Sequence, residues 1–153
     1  MNLIDIRPFP IEIAGLSFVQ ADATNLDGIQ DNSIESISSL HAIEHFGLGR
    51  YGDKIDPYAW KKVLKSIQRV MCPSGMFYLG LPVGNEEKVC FNAHRIFNPN
   101  TIINTLNELE LISFAYIHDF HVYETNPEDI NGIQKSLGEY DCGLFVFRKR
   151  EVQ

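Results

Sequence analysis

The chain has 153 residues, of which 44% are hydrophobic, 11% aromatic and 22% charged, and these are the proportions of an ordinary globular domain. Intrinsic disorder and collagen-like repeats are therefore excluded, and no apolar run approaches the ~20 residues that span a bilayer. We expect a single domain over residues 1–153. Because no signal-like segment opens the sequence, we also expect a cytoplasmic location.

The chain is acidic, with thirteen Lys and Arg against twenty Asp and Glu and a formal net charge of −7. Neutralised phosphates supply most non-specific affinity for nucleic acid, so we expect no nucleic-acid partner. The same charge argues against a membrane partner. Its three cysteines have no CxxC spacing, which favours buried thiols over a disulfide or a metal cage.

Strand-like and helix-like segments alternate along the first half of the chain, as is typical of an α/β layered domain. Short strands are predicted at residues 3–6, 16–20 and 34–40. Asp56-Pro57 reads as an N-cap with Pro at the first helical position. Apolar residues then recur every three or four positions from Trp60 to Met71, so a helix is predicted, with Pro73 and Gly75 ending it.

The second half begins with a buried strand predicted at 76–81 and cut by Pro82. A second helix is predicted from Asn98-Pro99, with one apolar face formed by Ile102, Ile103, Leu106 and Leu109. Strands at 111–117 and 143–147 are predicted to form an antiparallel pair at one edge of the sheet. The polar stretch between them, including His118 and His121, is predicted to lie on the surface.

Polar residues follow the first two strands, at the end of the sheet where ligands bind in open α/β folds. Asp5 could accept hydrogen bonds from both ribose hydroxyls of a nucleotide-like cofactor, or it could cap backbone groups. Asp22 could accept from an adenine amino group, with the next backbone N–H meeting a ring nitrogen. Both interpretations of Asp5 remain open from the sequence.

The third strand runs into the string H-x-x-E-H, formed by residues 41–45, which matches the inverted zinc-peptidase motif. Zinc ligation would need His41 and His45 on one face of a helix, together with a third ligand. Gly47 and Gly49 follow directly and disfavour a long helix. We therefore predict no metal site.

Two further segments carry candidate binding groups. The loop 47–53 follows a strand end and places three recognition side chains among three glycines, namely Arg50, Tyr51 and Asp53. It lacks the GK[ST] ending of a phosphate loop, and a plain surface loop is the alternative. Beyond the fourth strand, His94 could act as a base and Arg95 could clamp an anion, unless both are structural.

The chain resembles the S-adenosylmethionine-dependent methyltransferases of the Rossmann-like class in four successive segments: LIDIRP, FVQADATNL, DNSIESISSLHAIEH and WKKVLKSIQRVMCPSGMFYLGLPVG. The resemblance covers about residues 2 to 115. It implies S-adenosylmethionine as cofactor and a Rossmann-like sheet with helices on both faces. It also implies a set of cofactor-binding residues: Asp5 for the ribose, Asp22 for the adenine, and beside them Ile6, Ala23, Thr24 and His41.

More narrowly, the chain resembles a methyltransferase-like family of unknown function in the motifs GLGRYGD, GLPVG and NAHRIF. That resemblance implies a role in polysaccharide biosynthesis and a sugar-like acceptor. The family's first strand, glycine-rich loop and following helix have no counterpart before Leu3. We expect one of three explanations: a fragment, direct pairing of the strands at 3–6 and 34–40, or a homodimer in which a second copy completes the sheet.

The sequence therefore predicts a methyltransferase, or the C-terminal part of one, acting on a small or sugar-like acceptor. His41, His45 or His94 would remove the acceptor's proton. The acceptor would be oriented by five residues: Arg50, Tyr51, Asp53, Asn92 and Arg95. The alternative is a catalytically inactive methyltransferase-like module for binding or assembly.

Overall fold

In a computed structural model, which describes residues 1–90 and 93–151, strands and helices alternate as the sequence pattern predicts. The strands are β1 (Asn2–Asp5), β2 (Ser17–Gln20), β3 (Ile34–Leu40), β4 (Met71–Val83), β5 (Lys88–Cys90), β6 (His94–Ile96), β7 (Leu109–His118), β8 (His121–Thr125) and β9 (Asp141–Lys149). The helices are α1 (Ala59–Val70) and α2 (Pro99–Thr105), and 3₁₀ segments lie at Ile43–His45 and Pro127–Ser136.

The central sheet has five strands in the order β3-β4-β9-β7-β8. β3 and β4 are parallel, whereas β9 is antiparallel to both β4 and β7. The predicted antiparallel pair is confirmed, with Phe114 opposite Phe145. It is not at the edge of the sheet, because β8, which we did not predict, pairs along the outer side of β7.

β1 and β2 form a separate parallel pair, with Leu3 opposite Phe18. In the part of the chain that the structure describes, β1 is not hydrogen-bonded to β3, and each of these strands has one unpaired edge. Direct pairing of the strands at 3–6 and 34–40, one of our three expected explanations, is therefore wrong.

The two helices begin near their predicted caps. Asn98 accepts a hydrogen bond from the backbone N of Asn100 at 3.0 Å and caps α2 as predicted. α2 ends at Thr105, so Leu106 and Leu109, predicted on its apolar face, lie beyond it but remain buried. α1 begins at Ala59, after a turn in which Asp56 accepts from the backbone N of Tyr58.

β4 is longer than predicted because Pro73 and Gly75 do not separate it from α1. It starts at Met71, opposite Ile34, and the next aligned pair is Ser36 with Met76. Residues 72–75 thus form an irregularity in the strand, where the extra residues are accommodated without ending the sheet.

One hydrophobic cluster covers one face of the central sheet. Phe77 lies opposite Phe147 and Leu79 opposite Phe145, so these four buried side chains share a face. Both α-helices and the 3₁₀ segment Pro127–Ser136 contribute to this same cluster. Within the described residues both α-helices therefore pack on one face of the sheet, whereas we expected helices on both faces.

The opposite face of the sheet is more open, and Leu40 and Tyr78 are 67% and 43% exposed there. Cys72, Cys90 and Cys142 are free and half-buried. Among residues 1–90 and 93–151, no helix is long and apolar enough to cross a membrane.

Candidate functional site

A cleft of about 1160 Å³ lies at the carboxyl ends of β1, β2 and β3. Parallel strands bring their ends to the same edge, which explains why residues distant in sequence meet here. The cleft wall contains all the predicted cofactor residues and several others: Asp5, Ile6, Asp22, Ala23, Thr24, His41, His45, Tyr51 and Asp53. Arg50, His94 and Arg95 are not in this wall, and Asn92 lies outside the described residues.

The carboxylate of Asp5 is held by Arg7, a residue that our sequence reasoning missed. Arg7 donates from Nε to Oδ1 at 3.0 Å, from Nη2 to Oδ2 at 2.9 Å, and from its backbone N to Oδ1 at 2.8 Å. The side-chain hydrogen bond is the largest cause of a lowered pKa for Asp5, which is therefore ionised. A ligand of Asp5 must share or displace this guanidinium.

The end of β2 is fixed by its own turn and by α1. Asp22 Oδ1 accepts from the backbone N of Thr24 at 2.8 Å. The carbonyl of Thr24 accepts from Ser66 Oγ, on α1, at 2.8 Å. The segment 22–24 is thus anchored to a helix and presents a preformed wall to the cleft.

Tyr51 also lines the cleft and contacts two cationic side chains. The guanidinium carbons of Arg7 and Arg50 are 5.4 and 5.5 Å from its ring centroid, within cation–π range. Its ring also meets that of His45 edge-on, at 5.6 Å between centroids. The loop 47–53 therefore contacts both the end of β1 and the segment after β3.

Asp53 shapes this loop from within. Its Oδ2 accepts from the backbone N of Gly47 at 2.8 Å and of Gly49 at 3.3 Å, and its Oδ1 from that of Tyr51 at 3.3 Å. Burial alone would raise the pKa of Asp53, but these hydrogen bonds outweigh it and lower the pKa. Gly47 is required because it has φ 74° and a Cβ there would lie 1.9 Å from the Asp56 carbonyl oxygen.

A buried carboxylate, Glu44, lies among histidines just behind the cleft. It is 1% exposed, and its Oε1 is 3.2 Å from His41 Nδ1 and 3.7 Å from His45 Nε2. His41 Nε2 is 3.2 Å from Cys142 Sγ. His45 Nδ1 must donate, because its partner at 2.7 Å is the carbonyl of Ala93.

His94 and Tyr140 extend this group. The His94 ring lies 6.3 Å from that of His45 and 5.2 Å from that of Tyr140. Burial, and then the neighbouring His45, lower the pKa of His94, which favours the neutral imidazole. The pKa of Tyr140 is raised by burial and then by the charge of Glu44.

We call Glu44, His41, His45, His94, Tyr140 and Cys142 the histidine cluster. Our sequence reasoning found its three histidines but missed the other three as site residues. The H-x-x-E-H string contained the signal for Glu44, which we considered as part of a metal motif and of the methyltransferase resemblance without predicting a role for it. In the described residues no group of three or more His, Cys, Asp or Glu is arranged to hold a metal ion.

Two predicted roles need correction. Arg95 is buried and donates from Nη1 to the carbonyls of Glu44 at 3.3 Å and Phe46 at 2.6 Å, so it holds backbone rather than clamping an anion. His118 is not a plain surface residue, because its Nδ1 is 2.6 Å from Oδ1 of the buried Asp141.

A family model described as "Caenorhabditis protein of unknown function, DUF268" matches residues 16–144. No curated protein matches the chain.

Solved structures resemble it along most of its length. The N-methyltransferase NodS from Bradyrhizobium japonicum WM9, in complex with S-adenosyl-l-homocysteine, has a TM-score of 0.60 at 14% identity, over 98% of this chain and 66% of NodS. A SAM-dependent methyltransferase from Archaeoglobus fulgidus has a TM-score of 0.60 at 16% identity, over 97% and 75%. The [4+2]-cyclase SpnF has a TM-score of 0.61 at 14% identity, over 90% and 58%.

At these identities the likeness shows the fold alone. The Rossmann-like methyltransferase fold predicted from the sequence is thereby confirmed. The chain spans about three fifths of the length of SpnF and two thirds of NodS.

Proposed function

We propose that this chain, which belongs to the DUF268 family of unknown function, is an S-adenosylmethionine-dependent methyltransferase, or the C-terminal part of one, acting on a small, sugar-like acceptor. One observation carries the proposal. The strand-end acids Asp5 and Asp22 line the same cleft as His41 and His45, within a methyltransferase fold. Residues suited to bind the cofactor and a side chain suited to accept a proton thus line the same cleft.

The residues of the cleft fit this cofactor. Asp5 is an ionised carboxylate at the end of β1, and a carboxylate has about four lone-pair sites, so it can take ribose hydroxyls beside or instead of Arg7. Asp22 and Ala23 suit an adenine edge on the neighbouring strand end. When bound, S-adenosylmethionine would supply an electrophilic methyl group.

Among the three predicted bases, the contacts favour His41. Glu44 accepts from His41 Nδ1, which fixes the tautomer and leaves on Nε2 a lone pair that faces the Cys142 thiol, so the acceptor hydroxyl would replace that thiol as its partner. His41 also lines the cleft, whereas His94 does not. His41 Nε2 would take the proton of the acceptor hydroxyl, and the resulting imidazolium would be stabilised by Glu44. Alignment of the acceptor would supply most of the remaining rate enhancement.

Calorimetric titration with S-adenosylhomocysteine tests the cofactor assignment. We expect binding by the unmodified protein and, for Asp5→Ala, an affinity lower by about tenfold or more, since a hydrogen bond to a charged group contributes about 1.5–3 kcal/mol. Glu12→Ala removes an exposed acid from the same N-terminal region and should leave the affinity unchanged. Absence of binding heat with the unmodified protein would sink the proposal.

A catalytically inactive binding or assembly module is the second candidate. The bidentate Arg7–Asp5 pair favours it, because both carboxylate oxygens already have a partner. In that case Arg7→Ala, which frees the carboxylate, would still bind no S-adenosylhomocysteine. A methyltransferase held closed by Arg7 would instead bind it more tightly after this substitution.

We also propose a homodimer in which a second copy supplies a strand beside β1 or β3. Each of these strands has one edge without a partner among residues 1–90 and 93–151, and such edges invite pairing. Sedimentation velocity should then show a dimer, and a dimer that pairs through β3 should be lost when proline replaces Ser38, because proline cannot continue a ladder. A monomer at all concentrations would contradict this arrangement.

A further inference from the structure

We infer that the histidine cluster is a binding site for a neutral, hydroxyl-bearing ligand, built on Glu44 Oε2 and His94 Nε2. This inference rests on the proposed function, in which the ligand is the methyl acceptor. Both atoms are buried and have no hydrogen-bond partner among the described residues. Among those residues, they are the side-chain polar atoms that the fold buries and leaves unsatisfied.

Unsatisfied buried atoms of this kind are costly. A buried donor or acceptor without a partner costs about 1–3 kcal/mol, and a charged one costs more. Native folds leave few such groups, and those that persist need an explanation. Two of them in one cluster, on an acid and a base, are explained by a ligand that satisfies both.

The two residues belong to one continuous group of side chains. Glu44 contacts His45, whose ring meets the ring of His94, which in turn meets Tyr140. Glu44 also acts on the pKa of both His94 and Tyr140 through its charge. Because His45 is part of the cleft wall, a ligand in this group would lie next to the cofactor side of the cleft.

The charges around Glu44 favour a neutral ligand. Its carboxylate already faces His41 and His45, and the guanidinium of Arg95 lies on its own backbone carbonyl. Because the Glu44 carboxylate and the Arg95 guanidinium already balance each other, a cationic or an anionic ligand would leave a net charge buried in this group.

A hydroxyl group meets both requirements of the site. It can donate to Glu44 Oε2 and accept from an Nε2–H of the neutral imidazole of His94. The half-exposed ring of Tyr140 flanks His94 and offers an apolar face to the carbon skeleton of a polyol. The ligand class is therefore a polyol such as a sugar.

Glycerol is a suitable small probe, followed by the NMR signals of the histidine and tyrosine rings in the presence of S-adenosylhomocysteine. We expect saturable shifts of the His94 and Tyr140 signals, with a dissociation constant on the order of 10 mM for so small a ligand. Methylammonium and acetate, tested at equal concentration, should produce no saturable shift.

Two variants make the test specific. Glu44→Gln keeps the side-chain shape, removes the charge and should weaken glycerol binding about tenfold, whereas Glu35→Gln makes the same change on an exposed residue and should have no effect. His94→Phe keeps a ring beside Tyr140 and removes Nε2, so it should weaken binding while the protein stays folded by circular dichroism.

Three results would overturn the inference: no saturable shift with glycerol, equal binding by Glu44→Gln, or a preference for methylammonium. Such a failure is distinct from that of the proposed function. The latter would appear as an unmodified protein that binds no S-adenosylhomocysteine in calorimetry.

Discussion

Asp141 joins β9 to two other segments, and we predict that Asp141→Ala lowers the free energy of unfolding by about 2–4 kcal/mol. The residue is 2% exposed. Its Oδ2 accepts from the backbone N of Gly138 at 2.7 Å and its Oδ1 from His118 Nδ1 at 2.6 Å. Each hydrogen bond to a charged group contributes about 1.5–3 kcal/mol. The His118 bond counts less, because that side chain is 43% exposed and screened by water.

The decrease in the free energy of unfolding caused by Asp141→Ala should depend on pH. The hydrogen bond that His118 donates to Asp141, and then the charge of Asp141, raise the pKa of His118 above its usual value. The folded protein therefore retains this proton to higher pH than the unfolded chain does. The stabilisation is complete below the unfolded pKa of about 6.5 and is lost as the pH rises through the folded pKa. The difference between unmodified protein and Asp141→Ala should be larger at about pH 6 than at about pH 9.

Urea denaturation followed by circular dichroism at both pH values measures this difference. Asp119→Asn is the matched control, because Asp119 has φ 45° and asparagine tolerates this left-handed conformation better than alanine does. Its carboxylate also lies near His118, at 3.5 Å from Nε2, but it is 88% exposed, so we expect a change within about 0.5 kcal/mol. A loss below about 0.5 kcal/mol for Asp141→Ala, or equal losses at the two pH values, would refute this reasoning.

Three further predictions concern the packing and the loop. Arg95→Met keeps an apolar stem but removes two hydrogen bonds to backbone carbonyls. The free energy of unfolding, measured by urea denaturation, should therefore fall by about 2–3 kcal/mol, and an unchanged midpoint would show that these bonds contribute nothing. Asp53→Ala removes the acceptor of the backbone N–H groups of Gly47 and Gly49, so the hydrogen exchange of these two groups should accelerate about tenfold. Unchanged exchange would mean that Asp53 is not the acceptor that protects them. Phe147→Ala empties a fully buried position and should cost about 3–5 kcal/mol by the same urea assay, unless the core collapses to fill the space.

Local patterns were enough to predict the parts of the site that follow strand ends. Asp5 and Asp22 each come directly after a short apolar run, and the rule for open α/β sheets places such residues together. The Asn98 cap was predictable for the same reason, because its hydrogen bond reaches only two residues along the chain.

The remaining features depend on contacts between distant segments. Glu44 looks like an exposed acid in the sequence, and its burial is set by the packing of Arg95 and His45 around it. Tyr140 and Cys142 reach the histidine cluster only because β9 pairs with β4 at that end. β8 has no buried face that would produce apolar alternation, so its sequence gives little sign of a strand.

The position of β9 has a consequence for how the chain reaches its fold. β9 follows the other described strands along the chain, yet it lies between β4 and β7, and both pair with it along most of its length. Until β9 is made, the edges of β4 and β7 that pair with it are uncovered. Because both strands run antiparallel to β9, they are parallel to each other and could pair directly, which would give a misfolded sheet without β9. The entry of β9 between two strands already made joins segments that are far apart in sequence, and such long-range pairing is intrinsically slow.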